Sequence, residues 1–399
     1  MQYRNFGKLG YQVSALGMGC MRLPRIFSED GKAVVDREKA HEMIRYAVDH
    51  GVTYFDTAYS YHNVTSEEIL GEALDGGRRE KVKIATKQIY GTMQNLNSGG
   101  GKTILENTRR NLEGTLKKLR TSYLDAYLIH NINAETWEGI RKNKIIEEYE
   151  KFRAEGLVRA IGFSYHGGFP LFKDVLEFYD WDMCQVQHNI IDLDKEVTVE
   201  GIRLVGKKGC GLVVMEPLRG GCLATPPTRI KARYDEFPAK LTNGQPRSAV
   251  EWALRHVLDY PEVSVALSGM SSLEQLKENI EICSRADAVP GCVGAKERDV
   301  LASVKVMYES VRNIPCTGCE YCLPCPSGVD IPGVFTRYND ANMFESFDQP
   351  KRSYMFLERQ KKDAGLCAAC GDCEKKCPQH IGIIEGLKTA REALKGWIE

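Results

Sequence analysis

Leu124-Asp-Ala-Tyr-Leu-Ile-His130 is a short, mostly apolar run that closes on a polar side chain. It is too short for a helix and reads as a buried strand. Ahead of it, Leu105, Thr108, Leu112, Leu116 and Leu119 form a helical stripe. Behind it, Ile140, Ile145, Tyr149 and Phe152 form another, predicted as one helix ending before Gly156. A strand between two amphipathic helices is the repeating unit of a parallel α/β sheet. The same alternation recurs at Ser14–Gly19, Thr53–Asp56, Val82–Lys87, Val158–Ser164, Met183–Gln187, Gly211–Met215 and Val263–Ser268. The helix before the second run buries Ala40, Met43, Ile44, Ala47 and Val48 and stops at Gly51, a residue suited to a C-terminal cap. Eight such units closing on themselves make a (β/α)8 TIM barrel. An open doubly wound sheet is the competing fold. Against it, no Gly-x-Gly-x-x-Gly follows the first strand with an acidic residue about 20 positions on. Tyr3–Val13, with Gly7 and Gly10, reads as a hairpin capping the barrel floor.

At 399 residues the chain exceeds what one hydrophobic core ordinarily serves, so two domains are expected, cut near residue 300: a barrel over 1–300 and a second domain over 301–399. Lys plus Arg equals Asp plus Glu at 54 each, which leaves no basic field for a phosphate backbone, and nucleic acid is not an expected partner. No apolar stretch approaches membrane-spanning length, and neither a secretory leader nor a lipidation motif is legible, so a cytoplasmic protein without a membrane partner is expected. Cys20, Cys184, Cys210, Cys222, Cys283 and Cys292 are scattered, as small buried residues in a reducing compartment would be.

Working residues of such a barrel stand where strands finish. Asp56 ends the second strand, Tyr61 follows five residues later, Lys87 ends the third and His130 the fourth. Singly, each has a bland reading: a turn cap, a loop tyrosine, a solvated lysine, a backbone-satisfied histidine. Together, on adjacent strands, they suit carbonyl reduction. An ammonium at Lys87, held by Asp56, would lower the Tyr61 phenol pKa so that it can protonate a developing alkoxide. A neutral His130 would orient the carbonyl and share its charge.

Eight further cysteines form two runs, Cys316-x2-Cys319-x2-Cys322-x2-Cys325-Pro and Cys367-x2-Cys370-x2-Cys373-x3-Cys377-Pro. Three thiols at i, i+3, i+6 and a fourth before proline are the spacing of iron-sulfur ligation. Zinc knuckles are the alternative, but they separate two pairs rather than continuing through a third and fourth cysteine.

Phe55-Asp-Thr-Ala-Tyr-Ser-Tyr61, Ile84-Ala-Thr-Lys87, Tyr123–His130, Ile161-Gly-Phe-Ser164, Met215-Glu-Pro-Leu-Arg-Gly-Gly221 and Leu273–Asn279 resemble the aldo-keto reductases in order and interval, over about residues 1–285. The resemblance implies a catalytic tetrad at Asp56, Tyr61, Lys87 and His130, and NADH or NADPH across the strand-end face. Ser164 and Gln185 would hold the nicotinamide carboxamide and Met215 would support the ring. Gly19, Cys20, Met21, Pro217, Leu218, Gly220, Gly269, Ser271, Gln275, Glu278 and Asn279 would complete the cofactor groove. Substrate, a small-molecule carbonyl, would enter past Cys20 and Met21; Tyr59, Trp137, Tyr165 and His166 stand in loops that could line the pocket, or could simply pack at the loop roots. Three departures stand out. Met215 replaces an aromatic. Gly269 and Gln275 stand where NADPH-preferring members carry lysine and arginine, which tilts the reading toward NADH or dual use. And the chain runs about a hundred residues past the eighth unit.

That extension resembles the helical ferredoxin-like domains appended to some bacterial aldo-keto reductases. It implies two 4Fe-4S clusters, with helices over Pro332–Ala341 and Tyr354–Lys362 between the cysteine runs. Crossed ligation would assign Cys316, Cys319, Cys322 and Cys377 to one cluster and Cys367, Cys370, Cys373 and Cys325 to the other. The shorter last spacing of the first run leaves open which thiolate closes which cluster. His380 reads as a surface or supporting residue. Nicotinamide gives two electrons and a cluster takes one, so an intermediary such as flavin would be needed for exchange. No flavin motif is legible, although Gly220, Gly221, Gly269 and the serines could hold its phosphate. Three functions stay open: a carbonyl reductase with clusters, an electron-transfer module with its own partner, or an idle barrel in a regulatory role.

Overall fold

The computed structural model describes residues 1–28, 32–90, 104–238 and 246–396. Twelve strands are found among them: β1 (Tyr3–Asn5), β2 (Gln12–Ser14), β3 (Leu16–Gly19), β4 (Arg25–Phe27), β5 (Ala33–Val35), β6 (Tyr54–Asp56), β7 (Lys83–Ile89), β8 (Ala126–Ile132), β9 (Ile161–Tyr165), β10 (Met183–Gln187), β11 (Gly211–Met215) and β12 (Val263–Ser268). β3 and β6–β12 close into an eight-stranded barrel, each strand parallel to its neighbours. This is the closed alternative, and every predicted strand contributes to it.

Alternation along the strands fixes what faces inward. Tyr54, Ala85, Ala126, Leu128, Ala160, Met183, Val213 and Val265 form one buried cluster inside the barrel. Phe6, from the β1–β2 hairpin, joins that cluster and plugs the floor. The hairpin seats closely: a side chain on Gly7 (φ +52°) would meet the backbone nitrogen of Gly211 at 2.4 Å, so only glycine fits. The larger cluster between the strands' outer faces and the surrounding helices includes the predicted stripe Ala40, Met43, Ile44, Ala47 and Val48, from a helix over Arg37–Asp49.

Three expectations shift. The helix predicted across 140–152 is two, Trp137–Lys142 and Ile145–Ala154, broken where Lys144 turns left-handed (φ +54°). Lys87 and His130 lie two residues inside β7 and β8 rather than at their ends, because Gln88 and Ile89 go on pairing with Ile129 and His130. The chain also divides differently from a single cut at residue 300. One compact unit comprises Met1–Ala224 with Arg247–Ala295, the other Thr225–Pro246 with Lys296–Glu399.

Within the second unit, helices Ile331–Met343, Asp348–Arg359 and Ile383–Leu394 bury Val334, Phe335, Tyr354, Leu357, Leu387 and Leu394 in a core of their own. Asp330 caps the first of them by accepting from the Gly333 N–H at 3.0 Å. The helix Thr228–Asp235, from sequence between two barrel elements, belongs here. Its Arg229 donates to Met307 O (2.8 Å) and Met343 O (3.2 Å), and Arg233 donates to Ser303 Oγ (2.8 Å).

Candidate active site and cysteine cavities

The inward rows of the barrel carry the candidate residues upward from the core: Tyr54 leads to Asp56, Ala85 to Lys87, Leu128 to His130, Gly162 to Ser164, Met183 to Gln185 and Val213 to Met215. Lys87 Nζ donates to Asp56 Oδ1 at 2.5 Å, to Thr57 O at 2.9 Å and to Tyr61 Oη at 3.3 Å. Lys87 and Asp56 are buried, and Tyr61 and His130 are half-buried above them. The His130 ring stands edge-on to the Tyr61 ring, 5.8 Å between centroids.

Two backbone irregularities hold this arrangement. After Tyr61, residues His62, Asn63 and Val64 are all left-handed (φ +51°, +52° and +73°). For a β-branched valine that conformation costs on the order of 1–3 kcal/mol. The turn is tied down by Val64 N–H to Tyr61 O (3.1 Å), Ser66 Oγ to Cys20 O (3.0 Å) and Thr57 Oγ1 to Ser66 Oγ (2.9 Å). In β8 the register with β9 jumps between Ile129 and Ile132. Asn131 is left-handed there (φ +58°), and its N–H donates to Ser164 Oγ at 2.8 Å. A bulge of this kind re-aims the side chain beside it, here His130.

Burial pushes the Asp56 carboxyl up, against the opposing pull of Lys87. Burial would depress Lys87, but Asp56 and Tyr61 carry it above its ordinary value. Burial also raises the Tyr61 phenol. Lys87 opposes that rise without reversing it, so the expected lowering is a partial offset. Burial and the Lys87 charge bring His130 down to about 3, which leaves a neutral imidazole at physiological pH.

Gln185 is buried, and its Oε1 has no protein donor; the same holds for His130 Nδ1. Met215 is half-buried and Pro217 buried. Leu218 and Gly220 lie in a loop with Glu216, Arg219, Gly220 and Gly221 all left-handed. Arg219 Nε donates to buried Asp192 Oδ2 at 2.8 Å, an ion pair that sequence reading missed and that pins this loop. At the eighth strand, Gly269 is exposed and Asn279 Nδ2 donates to Ser268 Oγ (2.8 Å). Gln275 Oε1 accepts from the Ser271 N–H (2.9 Å), and Glu278 Oε1 accepts from Ser248 Oγ (2.8 Å). After β3, Gly19 and Cys20 are buried and Met21 exposed. The Arg22 stem lies where a side chain on Gly269 would point, its Cδ 3.2 Å away.

Of the four expected pocket residues, three are engaged in packing. Trp137 sits edge-on to Phe178 (5.2 Å), Tyr165 sits edge-on to Phe172 (5.2 Å) with its hydroxyl on Gly168 O (2.6 Å), and the Tyr59 ring carries Lys118 Nζ at 4.5 Å. His166 keeps 39% of its side chain accessible, with Nδ1 3.4 Å from Glu196 Oε1.

In the second unit the cysteines line two small cavities. Cys316, Cys319, Cys322 and Cys377 line the first; Cys325, Cys367, Cys370 and Cys373 line the second. Ile331 belongs to both walls. Asn339 ties the approach to Cys316 by accepting from the Ile314 N–H (3.0 Å) and donating to Ile314 O (2.7 Å). Burial raises the Cys322 thiol to about 11, with Cys316, Cys373 and Cys319 adding to it. Cys316 is raised by burial and by neighbouring Cys319 and Cys377. Among the described residues, no His, Cys, Asp or Glu group converges tightly enough for a single metal ion. Four thiols spread around a shared cavity fit a multi-atom cluster better than one tetrahedral zinc. His380 is exposed and lines neither cavity.

Comparison with known proteins matches residues 15–288 to the Aldo/keto reductase family and residues 315–381 to a 4Fe-4S dicluster domain. The chain is 30% identical over 309 residues, 70% of its length and 90% of the relative's, to the uncharacterized oxidoreductase YrpG of Bacillus subtilis. It is 23% identical to the L-galactose dehydrogenase of Arabidopsis thaliana, covering 79% of this chain and 96% of that one. The holo structure of aldo-keto reductase AKR11C1 from Bacillus halodurans superposes with a TM-score of 0.60 at 25% identity, over 76% of this chain and 96% of its own. Among the described residues no helix is long and apolar enough to cross a membrane. With the match over residues 15–288 and the barrel that carries it, the chain belongs to the aldo/keto reductase family of oxidoreductase enzymes, with a 4Fe-4S domain at residues 315–381.

Proposed function

We propose that the barrel reduces a small-molecule aldehyde or ketone to an alcohol with NADH or NADPH. The observation that carries this reading is the simultaneous bonding of Lys87 Nζ to Asp56 Oδ1 and Tyr61 Oη. Tyr61, kept protonated by burial, gives its proton to the carbonyl oxygen. The adjacent ammonium stabilises the phenolate left behind. Asp56 balances the buried Lys87 charge and fixes its position. Neutral His130 donates to the same oxygen and shares its growing charge. The dinucleotide would be held by Ser164, Gln185 and Met215 around the nicotinamide, Gly19, Cys20, Met21, Pro217, Leu218 and Gly220 along the groove, and Gly269, Ser271, Gln275, Glu278 and Asn279 at the far end. The unpartnered Gln185 Oε1 suits donation from a carboxamide. When bound, the reduced nicotinamide supplies the hydride. The test is Tyr61→Phe, for which carbonyl-dependent oxidation of the dinucleotide should fall by about 10²–10⁴. An undiminished rate would end this reading.

Each cavity of the second unit would hold one 4Fe-4S cluster, the first on Cys316, Cys319, Cys322 and Cys377, the second on Cys325, Cys367, Cys370 and Cys373. A bound cluster supplies one-electron chemistry. Exposed Cys319 and Cys370 favour a second role, single-electron exchange with a partner that approaches either cavity. That role should survive Tyr61→Phe, so cluster reduction by a donor in that variant separates the two activities. Iron and sulfide analysis with a visible spectrum after anaerobic purification counts the clusters and tests for flavin.

A further inference from the structure

The second cysteine run carries a charge that its four thiols do not account for. Glu374 directly follows Cys373 in the short helix Asp372–Lys376. Its side chain reaches the start of the helix Ile383–Leu394, where Oε1 accepts from the Ile384 N–H at 2.9 Å. Gly382, the residue before that helix, brings no capping side chain, so Glu374 caps it from another segment. A negative charge is favoured at such a place. The bond also fixes the carboxylate beside the second cavity, since Cys373 and Ile384 both line it, and Cys373 lies within electrostatic reach of Glu374. Glu374 is half-buried and, among the described residues, pairs with no cation. The neighbouring Lys375 reaches Asp372 instead, at 3.4 Å, with 77% of its side chain accessible. The first cavity has a carboxylate in its wall too, Glu320, but that residue is exposed. Water and salt screen an exposed charge far more than a half-buried one.

Four thiols line each cavity, so the ligand sets alone do not tell the two apart. Their surroundings do. Reduction by a low-potential one-electron donor adds one electron to a cluster and makes or breaks no bond. A fixed carboxylate nearby opposes the added negative charge. Resting on the reading that each cavity holds one 4Fe-4S cluster, we infer that Glu374 holds the reduction potential of the second cavity's cluster below that of the first. The first electron the protein accepts then rests on the cluster of Cys316, Cys319, Cys322 and Cys377. Glu374 is not a ligand; it acts through its charge on the cluster that Cys373 helps to hold.

The experiment is a redox titration of the anaerobically purified full chain with dithionite, followed by electron paramagnetic resonance, with iron and sulfide analysis of each protein. The native chain should show two separate one-electron midpoints. Glu374→Gln keeps an oxygen that can accept from the Ile384 N–H and removes only the charge. It should retain the native iron and sulfide, raise the lower midpoint by about tenfold in the one-electron equilibrium, or about 59 mV, and leave the upper one in place. In Cys316→Ser with Cys377→Ser, which leaves the second cavity's thiols complete, the surviving midpoint should match the lower native one. Coincident native midpoints, a glutamine variant in which neither midpoint or only the upper one moves, or a surviving midpoint that matches the upper one overturns the inference and leaves the two-cluster reading intact. A purely structural cap would show itself as iron lost in Glu374→Ala with no midpoint shift in Glu374→Gln, which also overturns it. Native protein with iron for fewer than two clusters ends the two-cluster reading and the inference with it.

Discussion

The Lys87 ammonium sits 2.5 Å from the Asp56 carboxylate with both side chains closed off from solvent, so each charge depends on the other. Breaking such a pair from one side leaves a buried charge uncompensated, at about 3–5 kcal/mol. Asp56→Asn should therefore lower the unfolding free energy extracted from denaturant melts by that amount. The double replacement Asp56→Leu with Lys87→Met should cost clearly less than the sum of the single changes. Additive losses would mean that the two charges do not need each other.

Acid should destabilise the barrel through its buried imidazoles. His188 is buried and held at about 3 by burial and by His256, while an unfolded histidine titrates near 6.5. Below 6.5 the unfolded chain takes up a proton that the folded one refuses, so stability falls as pH drops from about 6.5 toward 3 and is unaffected above it. At pH 4.5 this contributes about 2–3 kcal/mol, and His188→Phe should remove most of it. Urea melts at pH 4.5 and 7.5 would show this; equal acid loss in both proteins would refute it. His130, neutral for the same reason, should add no inflection to kcat/KM near pH 6.5.

Cofactor choice should depend on Arg22. Its stem lies against Gly269, the place where NADPH-preferring relatives were expected to put a lysine. Arg22→Ala should raise the KM for NADPH by about 10- to 100-fold, the worth of a charge-assisted hydrogen bond, and change that for NADH little. Equal effects on both dinucleotides would place Arg22 away from the 2′-phosphate.

The cysteine grouping gives pairwise outcomes. Cys316→Ser with Cys377→Ser strikes one cavity, whereas Cys316→Ser with Cys325→Ser strikes both. The first double variant should keep about half the native iron and sulfide and the second very little. The reverse order would establish ligation run by run.

Much of this was legible because a short apolar run flanked by helical stripes is a local signal. Every barrel strand, from Ser14–Gly19 to Val263–Ser268, announced itself by an apolar run between helical stripes, and the gathering of Asp56, Tyr61, Lys87 and His130 followed from which residues stood near the tops of adjacent strands. What escaped were features decided by distant contacts. The bulge at Asn131 exists because Ser164, on the next strand, receives its N–H. The Lys144 break interrupts a continuous apolar stripe without glycine or proline to mark it. Arg219 looked like one more loop cation until the fold brought Asp192 beneath it. The loop aromatics had two open readings for a related reason: composition cannot tell a ring that lines a mouth from one, like Tyr165, that packs against Phe172.

The stretch from Thr225 to Pro246 bears on how this chain can be taken apart. Ile230 and Tyr234 on it are buried, and its Arg229 donates to Met307 O and Met343 O, near the C-terminal ends of two helices of the same unit. A stop codon after residue 295 would leave those two side chains bare, inviting aggregation of the fragment. Separate expression of the barrel unit thus calls for an internal excision of 225–246 as well as a truncation.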